Sequence, residues 1–240
     1  FNINLPTLDK ITLFKKEKEK WVKAFAGDTL SYKDWQERFS DFIFFLSKER
    51  EATYYFKLEN RGATNFPLKI MSLDYFNDHK KNYNLFYGAY FGSLVVMLFY
   101  NLCLAFMMRS RSSWLFTGYL FSWIFLTLTI TGFGRSILTD WIPFSNEGLS
   151  FSAILTFIFF ILFLYYFLNI RKDEGPFLKK IYHYTFVIFL IFVPFTLFLG
   201  IRESLIGIAF LGGWLAILSV STIFLLFKKV RTAKVAGLSF

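Results

Sequence analysis

"YFGSLVVMLFYNLCLAFMM", residues 90–108, is an apolar run of helix length with one amide, Asn101, directly after Tyr100. About 20 such residues cross the ~30 Å hydrocarbon core of a bilayer. Working outward from it, four more windows of that kind contain no Asp, Glu, Lys or Arg. The five predicted spans cover residues 85–108, 114–134, 149–170, 182–200 and 204–227. A chain of 240 residues that is 55% hydrophobic and 22% aromatic is outside the range of soluble domains. The sequence predicts a multi-pass α-helical membrane bundle.

The +10 formal charge does not indicate nucleic acid, because its placement is topological. Residues 1–84 carry 15 basic and 12 acidic side chains, an ordinary mixed surface. Ten basic residues fall on one side of the spans: Arg109 and Arg111; Arg171, Lys172, Lys179 and Lys180; Lys228, Lys229, Arg231 and Lys234. The opposite loops hold Arg135 and Arg202, offset by Asp140, Glu147 and Glu203. The positive-inside rule puts the ten in the cytoplasm and residues 1–84 outside it. Phe1 starts in polar sequence with no leader pattern, and the chain turns apolar again at about residue 235, where a sixth span is expected to begin; both ends read as cuts from a longer protein.

Residues 1–75 are expected to form an all-β extracytoplasmic segment of sandwich type. "FIFFL" (42–46), "TYYFKL" (53–58) and "FPLKIM" (66–71) are β-rich runs separated by turns. In the second of these, Tyr54, Phe56 and Leu58 alternate with Tyr55, Lys57 and Glu59, as in a strand with one buried face. The stretch "SLDYFNDHKKNYNLF" (72–86) changes to helical character; residues 76–84 read as a juxtamembrane connector and 85–240 as the transmembrane domain. His79 and the abundant Phe are assigned no role. Cys103 is the only cysteine, so no intrachain disulfide forms.

Helices in lipid associate through close packing and interhelical hydrogen bonds, which makes small residues and isolated polar groups the candidates for contact or signal relay. Gly88, Gly92 and Asn101 mark two faces of the first span, with Asn101 as a clasp to a neighbour. Gly118 and Ser122, with Thr129 and Gly132, mark a seam in the second, and Gly212, Ala216 and Ser219 one in the fifth. Pro194 predicts a kink in the fourth. His183 with Tyr182 and Tyr184 reads as an interfacial anchor.

The run "YGAYFGSLVVMLFYNLCLAFMMRSRSSWLFTGYLFSW" (87–123), followed by "GFGRSILTDWIP" (132–143), resembles the membrane part of bacterial seven-transmembrane receptors with diverse intracellular signalling modules. Gly88, Gly92, the Tyr100–Asn101 pair, an Arg at 109 or 111, and the Trp141 and Pro143 pair carry the resemblance. Upstream, "AGDTLSYKDWQERFSDFIFFLSKEREATYYFKLENRG" (26–62) is similar to the end of the jelly-roll domain that precedes those spans. The resemblance implies seven spans, a place in the bacterial inner membrane, a cytoplasmic output domain in cis such as a kinase, cyclase or phosphatase, and an extracytoplasmic ligand, sugar-like or otherwise small. It also makes Tyr100 and Asn101 part of a shared helix interface. A homodimer is compatible with such a receptor, and no residue fixes it.

No phosphate loop, HExxH, paired cysteines or nucleophile elbow is present, so no catalytic residue, cofactor or metal is expected in these residues. A carrier for a neutral solute and an intramembrane scaffold are the alternatives. Ion or proton coupling is disfavoured because the five spans contain no charge and a single proline.

Overall fold

The computed structural model describes residues 2–3, 8, 10–17, 20–27, 37, 39–46, 53–59, 68–134, 146–168, 176–198 and 201–237. Among them six strands come first: β1 (Asn2–Ile3), β2 (Lys10–Glu17), β3 (Lys20–Ala26), β4 (Phe42–Ile43), β5 (Tyr54–Glu59) and β6 (Leu68–Lys69). They form two three-stranded sheets, ordered β4-β1-β6 and β3-β2-β5, and every pairing is antiparallel.

The alternation expected for residues 54–59 is present: Tyr54, Phe56 and Leu58 turn inward while Tyr55, Lys57 and Glu59 are exposed. Antiparallel register then sets the inward faces of β2 and β3. Ile11, Leu13 and Ala26 are buried, and Phe42 and Phe44 from the other sheet's side close the core. The β2–β3 hairpin was not recognised from sequence. Its clusters of Lys and Glu hide a half-buried pattern that appears only once the partner strand is known.

Among the described residues five helices follow, each long and apolar enough to cross a membrane: α1 (Leu73–Met108), α2 (Arg111–Thr131), α3 (Asn146–Phe167), α4 (Pro176–Phe198) and α5 (Ile201–Gly237). The expected connector at 76–84 is not a separate piece, since α1 runs through it without a break. At 1.5 Å per residue its 36 residues span about 54 Å, well beyond a ~30 Å core, so its first turns stand clear of the bilayer. Ser72 caps its start, accepting from the Tyr75 amide at 3.3 Å. At its end Arg109 adopts the left-handed conformation (φ 48°) and Ser110 caps α2, accepting from the Ser113 amide at 3.2 Å. The short loop is therefore built from two caps. Residues 235–237, where a sixth span was expected to begin, continue α5.

α3 is the hub of the bundle, touching α2, α4 and α5, whereas α1 leans chiefly on α2. Ile154, Ile161, Phe189 and Leu215 are the most deeply buried of the core. Several hydroxyls inside the bundle are satisfied by the carbonyl one turn back: Ser122 donates to Gly118 at 2.9 Å, Thr156 to Ser152 at 2.8 Å, and Ser219 to Leu215 at 2.7 Å. In a medium without water this is the nearest acceptor a hydroxyl can find.

Candidate functional site

The outer domain meets the membrane helices along one aromatic seam. Phe39 and Ile43 of the outer domain are buried with Phe76 of α1. The Phe39 ring lies 5.6 Å from Phe76 and 5.0 Å from Tyr83, both edge to face, a geometry that favours aromatic pairs beyond their burial. Ser40 and Asp41, next in the chain, are also buried. Lys80 forms a salt bridge with Glu37, tying the same segment to α1 by charge.

Below this point the seam continues at helical spacing. Tyr83, Tyr87 and Phe91 recur every four residues along one face of α1. Their rings are 4.3 Å and then 6.2 Å apart, and all three lie beside Phe133, which follows the C-terminus of α2. Tyr83 donates a hydrogen bond of 2.9 Å to the Thr131 carbonyl, one of the acceptors left open at the end of α2. Gly132, in the left-handed conformation (φ 68°), makes the turn that brings Phe133 back against α1. Phe39 thus touches α1, and Tyr83 joins α1 to the end of α2.

A second feature lies on the outer domain alone. Strand register puts Trp21, Lys23, Phe14 and Tyr55 on the face of the β3-β2-β5 sheet turned away from its core. They line an open hollow; Trp21 and Tyr55 are 5.7 Å apart edge to face, and the Lys23 ammonium stands 5.5 Å from the Phe14 ring. At the border of this face Lys57 bonds Glu59 at 2.6 Å, and that hydrogen bond holds the Glu59 carboxyl below its usual range.

The residues singled out by sequence are distributed unequally. Gly118 is at a helix seam: a Cβ there would lie 2.6 Å from the Phe159 ring of α3, and buried Ser122 is on the same face one turn on. Gly212 has the same relation to Phe157 of α3, at 2.8 Å, and Gly207 to Phe192 of α4. Gly118 on α2 and Gly207 and Gly212 on α5 therefore each receive a phenylalanine ring, a role the sequence does not reveal for Phe, whereas a Cβ at Gly213 would meet nothing within 4 Å. Ala216, by contrast, is exposed.

On α1 the picture differs. A Cβ at Gly88 or Gly92 would meet nothing within 4 Å, and Tyr100 is exposed. Among the described residues Asn101 clasps no other helix; its Nδ2 donates to the Met97 carbonyl of its own helix at 2.8 Å. Pro194 lies within α4 on an exposed face. Trp141 and Pro143 lie outside the described residues. Tyr182 is no interfacial anchor, since it is buried and donates to Thr222 Oγ1 of α5 at 3.1 Å. His183 and Tyr184 are exposed. His79 is half-buried, with its ring 6.5 Å from Phe39.

No group of three or more metal-ligating side chains occurs among the described residues. No curated protein and no solved structure is significantly similar to the chain. Two families do match, in an order that agrees with the two parts of the fold. Residues 1–72 match the family described as 7TMR-DISM extracellular 2, and residues 83–240 the one described as 7TM diverse intracellular signalling. The chain, a multi-pass membrane protein with an extracellular N-terminal part, belongs to the 7TM diverse intracellular signalling family of transmembrane sensory receptors.

Proposed function

We propose that these residues sense an extracytoplasmic signal and relay it through the helical bundle to a cytoplasmic output domain in cis. The observation that carries this reading is the unbroken α1, gripped above the bilayer by Phe39, Ile43 and Glu37 and bonded to the end of α2 by Tyr83. A rigid helix transmits a push or a rotation over its whole length, which a flexible connector would absorb. The ligand is a small, sugar-like molecule, and its platform is the exposed face of Trp21, Phe14 and Tyr55 with Lys23. Flat aromatic faces with one or two polar groups suit a ring that is apolar on one side and hydroxylated at its edge.

For the signal to pass, the ligand has to bind one arrangement of the outer domain on α1 more tightly than another, because equal affinity shifts no population. The seam glycines Gly118 and Gly212, and Pro194, are where small helix displacements are accommodated. Catalysis is assigned to the output domain and not to these residues. The membrane setting of the bundle, with aromatic and aliphatic side chains facing lipid, is the bacterial inner membrane.

The test is binding of a panel of mono- and oligosaccharides to the full-length protein in detergent, read by tryptophan fluorescence. A saturable change that Trp21→Ala abolishes supports the platform. Binding that survives Trp21→Ala and Tyr55→Ala together removes it.

A further inference from the structure

At the opposite end of the bundle, α3 and α4 part to leave a cavity of about 250 Å³. An extracellular N-terminus makes α1 run inward, α2 outward and α3 inward, so the end of α3 and the start of α4 lie at the cytoplasmic face. The cavity's inner wall is apolar: Ile161 is buried, and Leu162 and Phe186 are half-buried. Its rim is made by Tyr165 and Tyr166 of α3 and by Lys179 and His183 of α4, the latter two exposed. Ile161 and Phe186 lie four residues deeper along their helices than Tyr165 and Tyr182, or about 6 Å further into the bilayer. The site is thus graded from charged at headgroup level to apolar below it.

Charge at the rim is of one sign. The Lys179 ammonium and the His183 ring supply N–H donors, and the Arg111 guanidinium is carried by Tyr166, 5.9 Å over its ring, at the adjacent end of α2. No carboxylate lines the cavity among the described residues. Tyr182 closes the back and spends its hydroxyl on Thr222, so the wall on that side is fixed.

From this geometry we infer that the cavity between α3 and α4 binds an anionic phospholipid of the cytoplasmic leaflet, its phosphate at Lys179, His183 and Arg111 and the upper part of an acyl chain against Ile161, Leu162 and Phe186. Basic pockets between membrane helices on the cytoplasmic side recognise such headgroups, and a zwitterionic lipid offers the same tails without the net charge. A bound lipid would brace α4 against α3 and so bias which packing the bundle adopts. The inference needs only the topology and does not depend on the ligand proposed for the outer domain.

The experiment is native mass spectrometry of the full-length protein released from detergent after incubation with equal amounts of phosphatidylglycerol and phosphatidylcholine. Phosphatidylglycerol adducts are expected to dominate, and to fall about fivefold for each cation removed in Lys179→Gln and Arg111→Gln. Leu162→Trp, which fills the apolar wall and keeps every charge, should lower the same adducts, whereas Lys57→Ala on the outer domain should leave them unchanged. Adducts of the two lipids in equal number, or phosphatidylglycerol retained in both the Lys179→Gln and Leu162→Trp proteins, would overturn the inference. Displacement of the lipid by millimolar inorganic phosphate would assign the rim to a free anion and also count against it.

Discussion

Phe39 lies where the outer domain ends and the membrane helix begins, and its ring contacts Phe76, His79 and Tyr83 at once. It is 2% exposed, so truncation leaves a cavity between two elements. Phe39→Ala should lower stability by about 3–5 kcal/mol, measured as chemical unfolding followed by near-UV circular dichroism. Tyr83→Phe removes only the hydroxyl bonded to Thr131 and should cost about 1 kcal/mol in the same measurement. Equal effects from the two substitutions would mean that ring packing is not what holds the junction. The hydroxyl is the smaller contribution because an open helix-end carbonyl can turn to water at this level, whereas a lost ring has no substitute.

Among the elements, glycines with the same sequence signature behave in opposite ways. Gly118 on α2 and Gly92 on α1 both belong to small-residue rows, yet only the first has a ring against it. Gly118→Leu must push Phe159 aside in a packed seam and is expected to cost about 1–3 kcal/mol, seen as a lower midpoint of thermal unfolding in detergent. Gly92→Leu meets open space within the chain and should leave that midpoint unchanged. A lowered midpoint for Gly92→Leu would show that this face is covered by something other than these helices. Spacing alone reports that a face is small; it does not report what approaches it. Phe157, Phe159 and Phe192 are not legible in the sequence for the complementary reason. Phe is so abundant in this chain that no pattern distinguishes the rings that fill seams from those that face lipid.

For the whole molecule, the continuity of α1 is the property on which signal relay rests. Asn84 is exposed on α1, directly below Tyr83, the last α1 residue that Phe39 touches, and before the first apolar turn. Asn84→Pro breaks the helix there at a cost of about 3 kcal/mol. Ligand binding should persist and its effect on output activity should disappear, a split read by comparing tryptophan fluorescence with the activity of the full-length receptor. Retention of both would show that the signal does not travel through α1. The glycine face of α1 and the exposed Phe210, Trp214 and Ile217 of α5 leave two further sides of the bundle apolar and available to lipid or to more helices.

Sequence by itself determined the five apolar runs long enough to cross a membrane, the outer placement of the N-terminal part and the division between a β segment and a helical one. These follow from sums along the chain: apolar length against bilayer thickness, basic residues per loop, and period-two alternation in Tyr54–Glu59. It also carried the resemblance that the family matches bear out, because an order of motifs is itself one-dimensional. Only the tertiary structure decided that the connector is continuous with the first span, that Phe39 rests on Tyr83, that Asn101 bonds its own turn, and that Lys179 and His183 border one cavity. Each of these depends on which side of a helix meets which neighbour. In a chain whose helices are apolar all round, hydropathy does not encode that choice; packing does.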